Sequence, residues 1–246
     1  LHDNIYHHKS CWGGMTFPTP SDPDNSTYKN PYAIVIYSQA NGVEIYNEQM
    51  DSFYDGTNFQ LSRGILLARN ISNVHVHHNT IRTLAIGNAG NLKVVPYGAS
   101  AITLRLRTEE VGDIIDNVEI DNNIFEADGV GAEAGFVGWD PNAGETRSVK
   151  IHDNVFRQLD THNLYTSWEW GNVALEIYCT FIDYGLELNN NVFEGKHNGI
   201  VFYGQGKVRL QNNKIIKPVD AISGWKALEF QTDGASAQGI YFIDTE

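Results

Sequence analysis

Residues 116–125 read DNVEIDNNIF, and the same pattern returns at 147–156 as RSVKIHDNVF and at 184–193 as YGLELNNNVF. Fainter copies stand at 41–50 (NGVEIYNEQM), 72–81 (SNVHVHHNTI) and 206–215 (GKVRLQNNKI), and the chain opens inside another, LHDNIY. The shared form is an apolar–x–apolar pair, two polar residues, an Asn, any residue, then an apolar residue. Asn4, Asn79, Asn123, Asn154, Asn191 and Asn213 fill the Asn position, and Glu48 replaces it once. Spacing between copies varies, as in a structural repeat whose loops differ in length.

Within each copy, Val118 and Ile120 alternate with Glu119 and Asp121, the period of a strand with one buried face. Asn tolerates left-handed backbone, so the recurring Asn is expected to sit in the turn itself. Stacked copies then line up their amides in a row. A second strand precedes each copy: YAIVIYS (32–38), RGILLAR (63–69), SAITLRLR (100–107), GFVGW (135–139), NVALEIY (172–178) and GIVFY (199–203). KALEF (226–230) and QGIYFI (238–243) follow the last copy. The unit is strand, connection, strand, Asn turn, short third strand and loop. TEEVGDIID (108–116) is the one stretch expected to hold a helical turn.

Units too small to bury their own apolar face must coil so that like strands stack in parallel. Here the sequence resembles the right-handed parallel β-helix of pectate lyases, polygalacturonases and their relatives, asparagine ladder included. The resemblance covers nearly the whole chain and implies a single all-β solenoid of about seven turns over residues 1–246. It implies a fold more than a function, because that fold also carries lyases, glycosidases, epimerases, tailspikes and adhesins. An antiparallel sandwich is the competing architecture, but it leaves the recurrent Asn unexplained. Repeats run to both termini without a capping helix, so the expectation is a piece of a longer protein, with flanking domains or a subunit covering the ends.

A chain of 246 residues, 41% of them hydrophobic, can bury a full core. No apolar run approaches the roughly 20 residues that cross a membrane. The net charge of −13 argues against a nucleic-acid partner, which wants clustered Lys and Arg. It leaves room for an anionic sugar met by a local basic patch. Cys11 and Cys179 fall several turns apart in the repeat and are expected to be unpaired. The sequons at Asn25 and Asn70 are short enough to be accidental.

Function in such a coil belongs beside its longest loops. These are expected at 51–62, 82–99 and 157–171, all bordering the sheet of first strands. By alternation, the outward residues of that sheet are Tyr37, Leu66, Thr103, Arg105, Arg107, Trp139, Glu176, Tyr178, Tyr203 and Glu229. Aromatic planes beside Arg and Glu suit a sugar chain: Tyr37, Trp139, Tyr178 and Tyr203 stack on rings and Arg107 pairs with uronate carboxylates. Trp168 and Trp170 in SWEW (167–170) are expected to form a wall.

The partner is therefore expected to be an extended, uronate-containing polysaccharide, and the family resemblance implies a secreted or cell-surface protein. The polygalacturonase strings GHG and RIK and the pectate lyase string WIDH are absent, and DTHN (160–163) only faintly resembles an epimerase string. Two chemistries remain. A lyase needs a base and a cation, types supplied by Lys93, Arg105, Arg107, His162, Tyr178 and Tyr203. A glycoside hydrolase needs two carboxylates, for which Glu176 with Asp140 or Glu169 is the best arrangement. A non-catalytic adhesin or surface segment is the alternative.

On the repeat strand, Glu44, His75, Glu119, Lys150, Glu187 and Arg209 form one outward column, read as a ladder of pairs down the column. The next column holds Tyr46, His77, Asp121, His152 and Asn189. His77, Asp121 and His152 are metal-ligand types, but no tight motif such as HxxxH supports a site. The expectation is solvated polar stacking, with no metal or cofactor and no positive indication of Ca2+.

Overall fold

The computed structural model describes residues 5–9, 32–37, 40–54, 63–68, 70–85, 100–105, 113–129, 132–138, 144–159, 172–178, 185–203, 208–231 and 241–243. They form three parallel sheets of seven strands each, numbered β1–β21 in chain order. The first-strand sheet stacks β2 (Tyr32–Tyr37), β5 (Arg63–Ala68), β8 (Ser100–Arg105), β11 (Glu133–Val137), β14 (Val173–Tyr178), β17 (Asn198–Tyr203) and β20 (Lys226–Gln231). The repeat-strand sheet stacks β3 (Asn41–Tyr46), β6 (Ile71–His77), β9 (Asp113–Asp121), β12 (Gly144–His152), β15 (Leu186–Asn189), β18 (Val208–Gln211) and β21 (Tyr241–Ile243). The third-strand sheet stacks β1 (Ile5–Lys9), β4 (Gln49–Tyr54), β7 (Thr80–Ala85), β10 (Ile124–Asp128), β13 (Val155–Leu159), β16 (Val192–Glu194) and β19 (Lys214–Ile216).

Each strand pairs with its counterpart one unit away, so the chain is a right-handed parallel β-helix. All the strand pairs are parallel, which rules out the antiparallel sandwich. Among the described residues there is no helix, and 113–116 belong to a strand rather than the helical turn expected there. Residues 51–54, 82–85 and 157–159, expected in loops, extend the third strands. Cys11, Cys179, Asn25 and the far parts of the three loops lie outside the described residues. Asn70 is inside them, and its Oδ1 accepts a bond from Ile114 N–H.

The core fills the coil with like residues in register. Phe125, Phe156 and Phe193 stack with ring centroids 5.0 and 5.3 Å apart. A position at the corner of the first-strand sheet is always small: Gly64, Ala101, Ala134, Ala174 and Gly199. A Cβ on Gly64 would run into Ala101 O and Ile81 Cγ2, and one on Gly199 into Ile215 Cγ2 and Ala227 O. This position and the apolar residue after it therefore both turn inward, a break in alternation that matters for the site.

The asparagine row is present and buried. Asn123 N and Nδ2 both donate to Asn154 Oδ1 at 2.9 Å, and Asn154 donates likewise to Asn191 at 3.1 Å. Asn79 donates to Asn123, Asn191 to Asn213, and Glu48 N–H to Asn79. The left-handed backbone lies one residue earlier than expected. Asn47, His78, Asn122, Asp153, Asn190 and Asn212 have φ of 53–56°, and these residues make the turn. The ladder Asn is thereby left free to use its amide along the coil axis. On the third-strand sheet a second ladder forms from charges: Arg82 grips Asp51 with two bonds of 2.7 Å, and Arg157 bridges Glu126 and Glu194.

Candidate functional site

Glu176 lies in β14 between Leu175 and Ile177, which point into the core. It stands in the outward row Val35–Leu66–Thr103–Phe136–Glu176–Val201–Glu229. Alternation placed it correctly. The same row corrects the expectation for Leu66 and Thr103, which are only 8% and 1% exposed. Phe136 and Val201 beside Glu176 are buried too, so the middle of this face is covered rather than open.

Because two consecutive residues turn inward, a residue three places earlier returns to the outer side. Thr103 Oγ1 thus reaches Ser100 Oγ at 3.1 Å, and Lys226 Nζ reaches Glu229 Oε1 at 2.5 Å. By the same geometry Glu133, on β11, meets Glu176 and shares a hydrogen bond with it. Two carboxyls can bond only if one keeps its proton. The half-buried Glu176 is the one favoured: burial pushes its carboxyl well above the usual carboxylate range, and the charge and hydrogen bond of Glu133 push it further.

Two strands along the same row, Glu229 is in the opposite state. Burial alone would raise it, but bonds from Lys226 Nζ and from Asn198 Nδ2 at 2.6 Å prevail and hold it below its ordinary value. Burial lowers neighbouring His197. Asn198 Oδ1 is buried and has no hydrogen-bond donor. With Val201 between them, the Glu176 and Glu229 backbone positions are two rungs apart, roughly 9.6 Å at the usual strand spacing.

Of the other residues expected here, Tyr37 pairs with Ala68 and through it with Arg105, while Tyr178 pairs with Tyr203. These four backbone positions border the Glu176 row one residue beyond the inward row Ile36–Leu67–Leu104–Val137–Ile177–Phe202. Arg107, Trp139, Asp140, His162, Trp168, Glu169 and Trp170 lie outside the described residues, as does Lys93. Glu133, Asn198 and the small-residue corner were missed. The recurring Gly or Ala at the second residue of each first strand was the available signal.

The outer face of the repeat-strand sheet holds imidazoles and carboxylates that pair diagonally rather than down a column. His77 Nε2 lies 3.0 Å from Glu44, His75 Nε2 2.5 Å from Asp121, and His152 Nε2 3.0 Å from Glu119. Glu187 and Arg209 pair as the column reading expected, at 3.8 Å. Burial alone would raise Asp121, but bonds from His75 and Asn122 hold it below its ordinary value. For His152 burial acts to lower, and the bonds to Glu119 and Asp153 prevail to raise it.

These faces belong to a right-handed parallel β-helix, and fold alone is what the architecture defines. No protein family, curated protein or solved structure gives a significant match to the chain.

Proposed function

We propose that the chain binds an extended polysaccharide along the outer face of the first-strand sheet and cleaves it by acid-assisted glycoside hydrolysis. One observation carries this: Glu176 and Glu229 share one row but are driven to opposite protonation states. Paired groups with separated pKa values are how acid and base roles are divided at one pH. Glu176, protonated against Glu133, is the proton donor to the leaving oxygen. Glu229, ionised, is the group that takes a proton from water. The two backbone positions lie two rungs, about 9.6 Å, apart, far beyond the roughly 5–5.5 Å carboxyl separation of retaining enzymes and just outside the roughly 6.5–9.5 Å of inverting ones.

Asn198, on the strand between the two, keeps a buried Oδ1 with no donor. The backbone positions of Arg105 and Tyr178 border the same row. Hydrolysis is favoured over elimination because the two carboxyls, and not a base–cation pair, are the groups whose states are set apart. An extended glycan is met outside the cell, so secretion or surface display is part of the proposal.

Screening on a glycan array, followed by reducing-end and unsaturated-product assays, tests it. The expected result is new reducing ends without a new double bond, and Glu176→Gln should lose about 10²–10⁴-fold in kcat with binding kept. Unsaturated product, or full turnover by Glu176→Gln, contradicts it. A non-catalytic binding role is the second reading, favoured by the burial of Leu66, Thr103, Phe136 and Val201, which narrows the open strip. Glycan binding without any product, unchanged in Glu176→Gln, selects that reading.

A further inference from the structure

We infer that the outer face of the repeat-strand sheet, on a different side of the coil from Glu176, binds divalent cations of the zinc class in two adjacent triads. The first is Glu44, His75 and His77; the second is Glu119, Asp121 and His152. In each, one ligand atom per residue lies within 4.8 Å of the others. The triads stand on neighbouring strands β3–β6 and β9–β12, linked by the contact of His75 with Asp121.

The donor chemistry selects the ion. Imidazole nitrogen with carboxylate oxygen suits zinc and its transition-metal neighbours, whereas calcium and magnesium want oxygen alone. Spacing agrees. Ligands at 2.0–2.1 Å from a tetrahedral zinc stand about 3.3 Å apart. His77 Nε2 to Glu44 and His152 Nε2 to Glu119 are each already 3.0 Å. Stacked strands hold the backbone of these residues on a stiff frame. Three protein ligands leave a further position for water or a substrate oxygen.

The turn residue in left-handed conformation supplies the outer support. Asp153 Oδ2 lies 2.8 Å from His152 Nδ1, leaving Nε2 towards Glu119. Asn122 Nδ2 donates to Asp121 Oδ2 at 2.6 Å, and His78 Nδ1 lies 2.9 Å from His77 Nδ1. One position in three successive turns thus reaches back to orient the ligand before it. Groups that fix a ligand's orientation from behind are the usual second layer of metal sites.

The test is zinc titration by calorimetry and equilibrium dialysis in a non-coordinating buffer, on the whole chain and on His77→Ala, His152→Ala and the double variant. Circular dichroism confirms folding, which substitutions on this outer face should preserve. All other histidines stay in every variant, so differences report these triads alone. The chain should take up two more zinc equivalents than the double variant, and each single variant should lose one. Asp153→Ala should weaken the second site about 10–100-fold and spare the first. The inference is overturned if wild-type chain takes up no zinc, if the double variant keeps the full stoichiometry, or if calcium at equal concentration displaces zinc.

Discussion

Replacing Asn154 with Ala removes the middle of the buried ladder. Asn154 Oδ1 accepts from both Asn123 N–H and Asn123 Nδ2, and its own Nδ2 donates to Asn191 Oδ1, Ile120 O and His152 O. The Asn123 side-chain amide keeps its bonds to Val76 O and Asp121 O, but Asn123 N–H is left buried with no acceptor. An orphaned buried donor costs about 1–3 kcal/mol, and two carbonyls that each lose a donor add roughly 0.5–1.5 kcal/mol apiece. The sum is about 2–6 kcal/mol, which lowers Tm by about 4–24 °C for a chain of this size. Asn190→Gly is the control: it keeps the left-handed turn (φ 56°) at an exposed residue and should change stability by less than about 1 kcal/mol. Thermal unfolding by circular dichroism reads both. An Asn154→Ala Tm within 2 °C of wild type, about the shift for 1 kcal/mol, refutes the ladder as a source of stability.

Gly199→Val places a branched side chain against Ile215 Cγ2 and the Ala227 backbone, and should cost at least about 1–3 kcal/mol in denaturant midpoint; no change would contradict the tight corner. Glu176 has a folded pKa above its ordinary 4.5, so its stabilising contribution is complete below 4.5 and is lost as pH rises through the folded value. Melting curves across pH should therefore show wild type losing stability relative to Glu176→Gln on going from acid to neutral pH. Parallel curves would remove the claim.

The fold was legible because the repeat encodes a row. Val118 and Ile120 fixed a strand, and the constant Asn after it fixed which strands stack, since only a stacked turn lets one amide serve the next. Sequence could not place the left-handed residue, because polar residues fill both candidate positions: Asn122 and Asn123 are chemically identical, and only the backbone separates them. Glu176 was found by period-2 alternation. Its partner Glu133 was not, because alternation fails where Ala134 and Gly135 both turn inward. The diagonal pairing of His75, His77 and His152 was likewise hidden, since a column of residue types carries no side-chain rotamers.

The most direct measurement is the titration of the Glu176 carboxyl itself, followed by NMR in chain labelled with ¹³C at the glutamate carboxyl carbon and assigned by comparison with Glu176→Gln. The expected result is a carboxyl that keeps its proton well above pH 4.5 and whose transition shifts towards the ordinary range when Glu133 is replaced by Gln. A Glu176 resonance that titrates at or below 4.5, or ignores the loss of Glu133, would contradict the account of this face as an acid site.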